Sequence, residues 1–164
     1  MEYKIQKDFL STELFTKIKN LIITNRDFSW KKRDQMTPCD HYLCFVHYFY
    51  DRASPTSDFY KPFILPILTD LQAYGLVQIR ANMFISSLFK ASGWHTDYGF
   101  KSKTAILYLN DCDGGTELKI DDKITFIKAD ANKMLVFDTP IPHRAITSKK
   151  EPIRYIINFN YFTS

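Results

Sequence analysis

Two residues that commonly ligate metals lie two positions apart in the stretch GWHTDYGF, residues 93–100. If this stretch is extended, the side chains of His95 and Asp97 point the same way, because strand side chains alternate between two faces. The next histidine along the chain is His143, in the stretch DTPIPHRAI. Two histidines and one carboxylate on one face of a metal ion leave other coordination positions open for reactants. The residue types and their order therefore predict a catalytic metal site made by His95, Asp97 and His143.

Each of these residues also has an ordinary structural interpretation when it is taken alone. A histidine and an aspartate two positions apart often form a surface turn or a buried hydrogen-bonded pair. A histidine after a proline is commonly a loop residue. The remaining histidines, His41 and His47, lie in an aromatic segment, and we interpret them as core or surface residues of a strand. The metal-site prediction depends on the joint occurrence of the three residues in this order.

The segments that must position these residues are short and strand-like. After Gly75, runs rich in β-branched and aromatic residues alternate with turn-forming residues, which is typical of a closed antiparallel fold. Gly114–Gly115 is expected to form a hairpin turn. The predicted strands are 77–85, 104–109, 116–120, 124–127, 134–137 and 154–162.

The first 74 residues are expected to support this sheet. Ser11 is a good N-cap for a helix over 11–23. A second helix is predicted over 58–73, with a kink at Pro66, because a proline deep in a helix removes a backbone hydrogen bond. The aromatic segment 41–51 predicts a further strand.

The predicted fold is mainly β with flanking helices. It is a double-stranded β-helix, or jelly roll, with the two N-terminal helices packed on one face. We expect a single domain over 1–164, in which 1–74 is the support and 75–164 is the jelly-roll core. The polar segment 25–40 is predicted to be a loop and a candidate lid over the substrate.

The composition is that of an ordinary globular protein. Of the 164 residues, 45% are hydrophobic and 24% are charged, and the net charge of +4 is only mildly basic. Cys39, Cys44 and Cys112 are odd in number and form no CxxC motif, which predicts free thiols in a reducing compartment. We find neither the apolar segment of a signal peptide nor an apolar run of about 18 residues that could span a membrane. We therefore expect a cytoplasmic protein with no membrane association.

Further motifs surround the three candidate ligands in a fixed order. The stretches ILYLND, GGTEL, KMLVFD, PH and IRYIINF follow one another between residues 75 and 162. Together with His95, Asp97 and His143, they resemble the 2-oxoglutarate/Fe(II) oxygenases of the prolyl 4-hydroxylase type, including small phage and bacterial members. The resemblance implies that these three residues are the metal ligands. It also implies Fe(II), 2-oxoglutarate as cosubstrate and O2, with ascorbate as a candidate reductant.

The same resemblance assigns a binding site for the cosubstrate. In this family the cosubstrate chelates the iron at one end, and an arginine binds its far carboxylate. Arg154 matches that arginine, since a planar guanidinium can bind a carboxylate through two hydrogen bonds. Tyr108 resembles a tyrosine that donates to the same carboxylate. By strand alternation, Ile106 would line the pocket beside Tyr108, and Asn158 would share the face of Arg154 and lie close to the iron.

The candidate substrate-binding residues are Asn82, Trp94, Tyr98 and Asn160. Asn82 lies on the first predicted strand of the core, and Asn160 is expected nearer the substrate mouth than the iron. Trp94 and Tyr98 flank the predicted ligands, where packing is the alternative interpretation. Arg144 is expected to point away from the metal and to form a salt bridge.

Three functions remain open at this stage. The first is hydroxylation of a prolyl or other amino-acid residue in a peptide or protein, or of a free amino acid. The second is nucleic-acid demethylation of the AlkB type, which the single arginine in register and the mild charge make less favoured. The third is a cupin-like metal-binding module without turnover, which would have no need of Arg154 and Tyr108 in register.

Overall fold

The computed structural model describes residues 3–34, 37, 42–86 and 90–164 of the chain. The two helices in these residues are α1 (Thr12–Lys19), which continues as a π-helical turn over Asn20–Thr24, and α2 (Leu65–Asp70), which follows a π-helical turn over Tyr60–Ile64. The strands are β1 (Tyr3–Gln6), β2 (Lys31–Arg33), β3 (Cys44–Asp51), β4 (Ser54–Pro55), β5 (Ala73–Ile85), β6 (Lys103–Tyr108), β7 (Gly115–Ile120), β8 (Lys123–Lys128), β9 (Met134–Asp138), β10 (His143–Ile146) and β11 (Ile153–Thr163).

The strands form two antiparallel sheets. The larger sheet has the order β1-β9-β6-β11-β5-β3-β2, with β4 paired to β3, and the smaller sheet has the order β10-β7-β8. Strands β5, β11 and β6 lie side by side at the centre of the larger sheet, and strand β11 pairs with both of its neighbours. The predicted mainly-β jelly roll with two helices is confirmed.

The two faces of the larger sheet bury different cores. On one face, Ile157 and Phe159 of β11 pack against Ile18 of α1 and Ile67 of α2, so both helices cover the same side, as predicted. On the other face, Ile156 packs in a second core that includes side chains of the smaller sheet. The alternation along β11 therefore sends neighbouring residues into opposite cores. The candidate site lies on the second face, between the sheets.

Ser11 caps α1 as predicted, since its hydroxyl oxygen accepts a hydrogen bond of 3.3 Å from the backbone N–H of Leu14. The second helix is shorter than predicted. It ends at Asp70, and β5 begins at Ala73. At the expected kink, a π-helical turn changes into the α-helix α2, and Pro66 lies in the first turn of that helix. The missing N–H of a proline costs no hydrogen bond at this position.

The hairpin turn predicted at Gly114–Gly115 is wrong. Gly115 is the first residue of β7, and a Cβ atom there would lie 2.1 Å from the carbonyl oxygen of Ile127 on β8. The β7–β8 hairpin turns instead at Asp121–Asp122, where both residues have positive φ values of 47° and 61°. Two successive residues of positive φ match the twist of a two-residue hairpin.

The prediction also missed four short strands. Strand β2 lies inside 25–40, the segment predicted as a loop, and β1, β4 and β10 were not predicted at all. Such short strands carry too few residues for a hydrophobic pattern, and pairing with a longer strand defines them.

Some predictions fall on residues outside the described ranges. The residues outside these ranges include Cys39, His41 and parts of 25–40. Of the other cysteines, Cys44 and Cys112 are buried, and neither forms a disulfide with another described residue. No helix within the described residues combines the length and apolar character that a membrane crossing requires.

Candidate metal and cosubstrate site

The structure brings His95, Asp97 and His143 together at one end of the space between the sheets. One potential ligand atom from each of the three side chains lies within 4.8 Å of the others. His95 and His143 face each other across a short antiparallel bridge, with N–H···O distances of 3.0 and 2.8 Å. A pair of backbone hydrogen bonds therefore fixes the two histidines side by side, although they are far apart in sequence.

Backbone carbonyls set the orientation of both imidazole rings. The Nδ1 atom of His95 lies 3.1 Å from the carbonyl oxygen of Gly93, and that of His143 lies 3.1 Å from the carbonyl oxygen of Ile141. Because a carbonyl can only accept, Nδ1 is the donor in each ring, and Nε2 is the atom that the neutral tautomer offers to a metal. This is the arrangement that metal-binding histidines use to hold their ring and tautomer.

The protonation states suit a cation. Burial lowers the pKa of His143 to about 4, so the ring is neutral near pH 7. Burial alone would raise the pKa of Asp97, but the guanidinium of Arg80, the two histidines and the amide of Asn160 together hold it well below its usual range. The site therefore presents an anionic carboxylate with a neutral imidazole 3.8 Å away.

Asp97 is held by three side chains from the central strands. Its Oδ2 accepts hydrogen bonds from the amides of Asn158, at 3.2 Å, and Asn160, at 2.8 Å. Its Oδ1 accepts from a guanidinium nitrogen of Arg80 at 3.4 Å. Arg80 on β5 and Asn158 on β11 are direct cross-strand partners. The sheet register therefore places these two donors side by side at the carboxylate of Asp97.

Arg154 lies in the same cavity as the three candidate ligands. Its side chain is buried, with 1% of the residue exposed, and its guanidinium packs over the ring of Phe84 at 4.4 Å. None of its three guanidinium nitrogens has a hydrogen-bond partner among the described residues. The hydroxyl of Tyr42 lies close enough to interact with this charge, but it does not satisfy the three nitrogens. A buried cation without full hydrogen bonding is expensive, so the guanidinium has donor capacity for a ligand.

The residues predicted beside Arg154 lie on the expected face. Ile106 lines the cavity, and Tyr108 is buried in the same core. The hydroxyl of Tyr108 donates to Thr116 of the smaller sheet at 2.8 Å, and burial raises its pKa to about 12. Thr116 also lines the cavity, so Tyr108 and Thr116 form a neutral polar group there.

The four candidate substrate-binding residues have different positions. Asn82 is buried and lines the small cavity, and Trp94 lines a larger one beside it. Tyr98 stacks on Phe100 with ring centroids 5.1 Å apart. Asn160 differs from the expectation of a place at the substrate mouth. It is completely buried, and its amide donates both to Asp97 and to the hydroxyl of Thr104.

Arg144 forms the expected salt bridge, but it also lines the small cavity together with the three candidate ligands. Its Nε donates to a carboxylate oxygen of Glu117 at 2.7 Å, and its guanidinium packs over the ring of Trp94 at 4.5 Å. The carboxylate of Glu117 on β7 therefore compensates its charge.

Sequence reasoning missed Arg80 as a site residue. It lies in the motif IRANMF, and period-two alternation along β5 places it on the face of Asn82. That alternation was a usable signal, but a single arginine in a strand more often forms a surface salt bridge. Only the fold shows that Arg80 is buried against Asp97, with 9% of its side chain exposed.

The comparisons with known proteins show the fold. No protein-family model matches the sequence, and no curated protein matches it. An oxidoreductase of the 2OG-Fe(II) oxygenase family from Burkholderia pseudomallei superimposes with a TM-score of 0.78 at 12% identity, covering 98% of this chain and 84% of its own. A Pseudomonas putida prolyl-4-hydroxylase gives 0.65 at 15% identity, covering 99% and 93%.

A third solved structure is a prolyl hydroxylase from Trichoplax adhaerens in complex with a peptide fragment of hypoxia inducible factor. It gives a TM-score of 0.72 at 14% identity and covers 98% of this chain and 83% of its own. The chain thus has the jelly-roll fold of the 2-oxoglutarate/Fe(II) oxygenase structures, which is the fold that the sequence motifs imply.

Proposed function

We propose that this protein is a 2-oxoglutarate- and Fe(II)-dependent oxygenase. Its reaction would hydroxylate an amino-acid residue, with proline as the first candidate, and release succinate and CO2. The observation that carries the proposal is a single cavity lined both by His95, Asp97 and His143 and by the unpartnered guanidinium of Arg154. The structural similarity to prolyl hydroxylases supports the class of reaction.

The donor set fits iron(II). Two imidazole nitrogens and one carboxylate oxygen, brought in from one side, are the ligands of non-haem Fe(II) sites that keep positions open for reactants. The Nδ1 contacts with Gly93 and Ile141 supply the outer support that such histidines need. When bound, iron with 2-oxoglutarate and O2 would supply the oxidising chemistry, and the protein would supply orientation and exclusion of water.

The residues opposite the ligands fit 2-oxoglutarate. Arg154 would bind the far carboxylate through two parallel hydrogen bonds, which is the geometry that a guanidinium favours. Tyr108 would assist through its hydroxyl, and Ile106 and Ile156 offer apolar walls to the methylene groups between the two ends. The cavity measures about 20 Å³. That is close to the room one water needs, so side chains must move to admit the cosubstrate.

The cofactor chemistry can be tested without knowing the substrate. Fe(II) and then 2-oxoglutarate are added to the purified protein without oxygen, and the visible absorption spectrum is recorded. We expect a weak charge-transfer band that requires both additions and is absent in H95A, D97A and H143A. H47Q, which changes a histidine outside the site, is the matched control and should keep the band.

Each alternative predicts a different spectrum. Tight iron binding without the band would favour a cupin-like metal-binding module over an oxygenase. No iron binding would reject the metal site altogether. If the band forms, coupled release of succinate with peptides, amino acids and methylated oligonucleotides then separates a hydroxylase from a nucleic-acid demethylase.

A further inference from the structure

A second cavity of about 440 Å³ adjoins the candidate metal site. It shares Arg80, His95 and Asp97 with the small cavity that Arg154 lines, so anything bound in it lies beside the candidate metal ligands. The other described residues that line it are Arg33, Thr37, Tyr48, Gln78, Trp94 and Thr96. Its volume is in the range of small-molecule sites. This cavity is where a substrate would meet the metal.

Arg80 lines both cavities, and only some of its guanidinium N–H groups have a hydrogen-bond acceptor. One terminal nitrogen donates to the amide oxygen of Gln78, and the other lies 3.4 Å from Asp97, at the long end of the range for a hydrogen bond. Its Nε is buried and has no hydrogen-bond partner among the described residues. Arg80 therefore has donor capacity to offer a ligand.

Among the described residues that line the two cavities, buried positive charges outnumber negative ones. Asp97 is the sole acidic residue among the described residues that line them, while Arg80 and Arg154 are both buried. Bound Fe(II) and 2-oxoglutarate would add two positive and two negative charges, so they leave the balance as it is. Arg144 also lines the small cavity, but its charge is paired with Glu117. Among the described residues that line the two cavities, Arg80 and Arg154 against Asp97 therefore leave one positive charge in excess. An uncompensated charge in a buried site is costly, so a bound anion would be favoured.

We propose that the 440 Å³ cavity binds a substrate through a free α-carboxylate, which accepts hydrogen bonds from Arg80. The substrate is then a free amino acid or the C-terminal residue of a peptide, and not a residue within a chain. The aromatic rings of Tyr48 and Trp94 and the hydroxyl of Thr96 would surround the rest of the molecule. This inference rests on the proposed oxygenase function and specifies its substrate class.

The test compares the binding affinity of each active amino acid with that of its α-carboxamide, which lacks the negative charge. The twenty L-amino acids and their N-acetyl derivatives are first screened for stimulated succinate release. Every active one is then titrated by calorimetry, without oxygen, into the protein loaded with Fe(II) and 2-oxoglutarate, alongside its α-carboxamide. We expect the acid to bind about ten- to a hundredfold more tightly, as for a hydrogen-bonded charged group. R80Q should remove this preference, and R80K should keep part of it.

Controls separate the carboxylate contact from general effects. R52Q removes an arginine whose side chain is 93% exposed, and it should leave the preference unchanged. The N-acetyl derivative of an active amino acid distinguishes the two candidate substrates. If it binds as tightly as the free amino acid, the substrate is the C-terminal residue of a peptide. If it does not bind, the substrate is a free amino acid.

Three results would overturn the inference while the charge-transfer band of the wild-type protein is present. They are equal binding of acid and amide, hydroxylation only of peptides capped at both ends, and no response to any amino acid or N-acetyl amino acid. Absence of the band itself would instead reject the proposed oxygenase function, and the inference with it.

Discussion

At the scale of single residues, Arg154 is the most informative side chain in the molecule. Folding buries its charge almost completely, and its guanidinium makes no hydrogen bond of good geometry with a described residue, although the hydroxyl of Tyr42 lies close by. Asp97 is the opposite case, since Arg80, Asn158 and Asn160 all donate to it. The contrast indicates a carboxylate fixed in place for a metal and a guanidinium kept for an anion that comes from outside the chain.

Arg154→Met should therefore separate stability from binding. Replacing an unpaired buried cation by an apolar side chain of similar length should stabilise the ligand-free protein by about 1–4 kcal/mol. The same change should weaken 2-oxoglutarate binding by on the order of 3 kcal/mol, about a hundredfold, with iron affinity nearly unchanged. Urea denaturation and anaerobic calorimetry measure the two effects. Unchanged cosubstrate affinity would move the carboxylate anchor elsewhere.

At the scale of elements, the site depends on the register of paired strands. The β11 strand presents Arg154, Ile156 and Asn158 to the interior between the sheets because alternate residues share a face. From the smaller sheet, β10 supplies His143 and β7 supplies Thr116, and these two strands pair with each other. A shift of one residue in any of these strands would turn its site residues to the opposite face.

A substitution at Gly115 tests the pairing of β7 with β8. A Cβ atom at this position would meet the backbone of Ile127 at 2.1 Å, and backbone cannot move aside as a side chain can. Gly115→Ala should therefore destabilise the protein by at least about 2 kcal/mol, in the upper range for overpacked sites. Gly99→Ala is the matched control, because nothing lies within 4 Å of a Cβ atom there. Equal melting temperatures for the two variants would contradict this description of the smaller sheet.

At the scale of the whole molecule, the site joins parts of the chain that are distant in sequence. Its residues come from β5, β6 and β11 of the larger sheet, from β7 and β10 of the smaller one, and from the segment that carries His95 and Asp97. Because an occupied site would connect both sheets, ligand binding should stabilise the fold as a unit.

Metal and cosubstrate should accordingly raise the melting temperature. At ligand concentrations 100-fold above the dissociation constant, the gain is about 2.7 kcal/mol, or about 5–10 °C for a domain of this size. Anaerobic differential scanning fluorimetry with Fe(II) and 2-oxoglutarate measures the shift, and chelation should reverse it. D97A should show no shift. A shift of the same size in D97A would place the binding site elsewhere in the protein.

The sequence by itself determined the fold class and the candidate triad. Period-two alternation identified most of the core strands and the inward face of β11, because burial on one side of a strand imposes that pattern locally. The order of His95, Asp97, His143 and Arg154 within the surrounding motifs pointed to the site. Short elements such as β2 and β10 carried too few residues for such a pattern.

Only the tertiary structure decided how the charged groups are paired. Arg80 and Asn158 both donate to Asp97, and the register of β5 with β11 makes these two residues direct cross-strand partners. Asn160 is buried, and its amide donates to both Asp97 and Thr104. Likewise, Gly115 is a strand residue and not a turn residue because the backbone of β8 lies against it. Contacts of this kind join residues far apart in the chain, so no local pattern encodes them. Strand register and the low dielectric of the interior determine which groups are satisfied and which are left for a ligand.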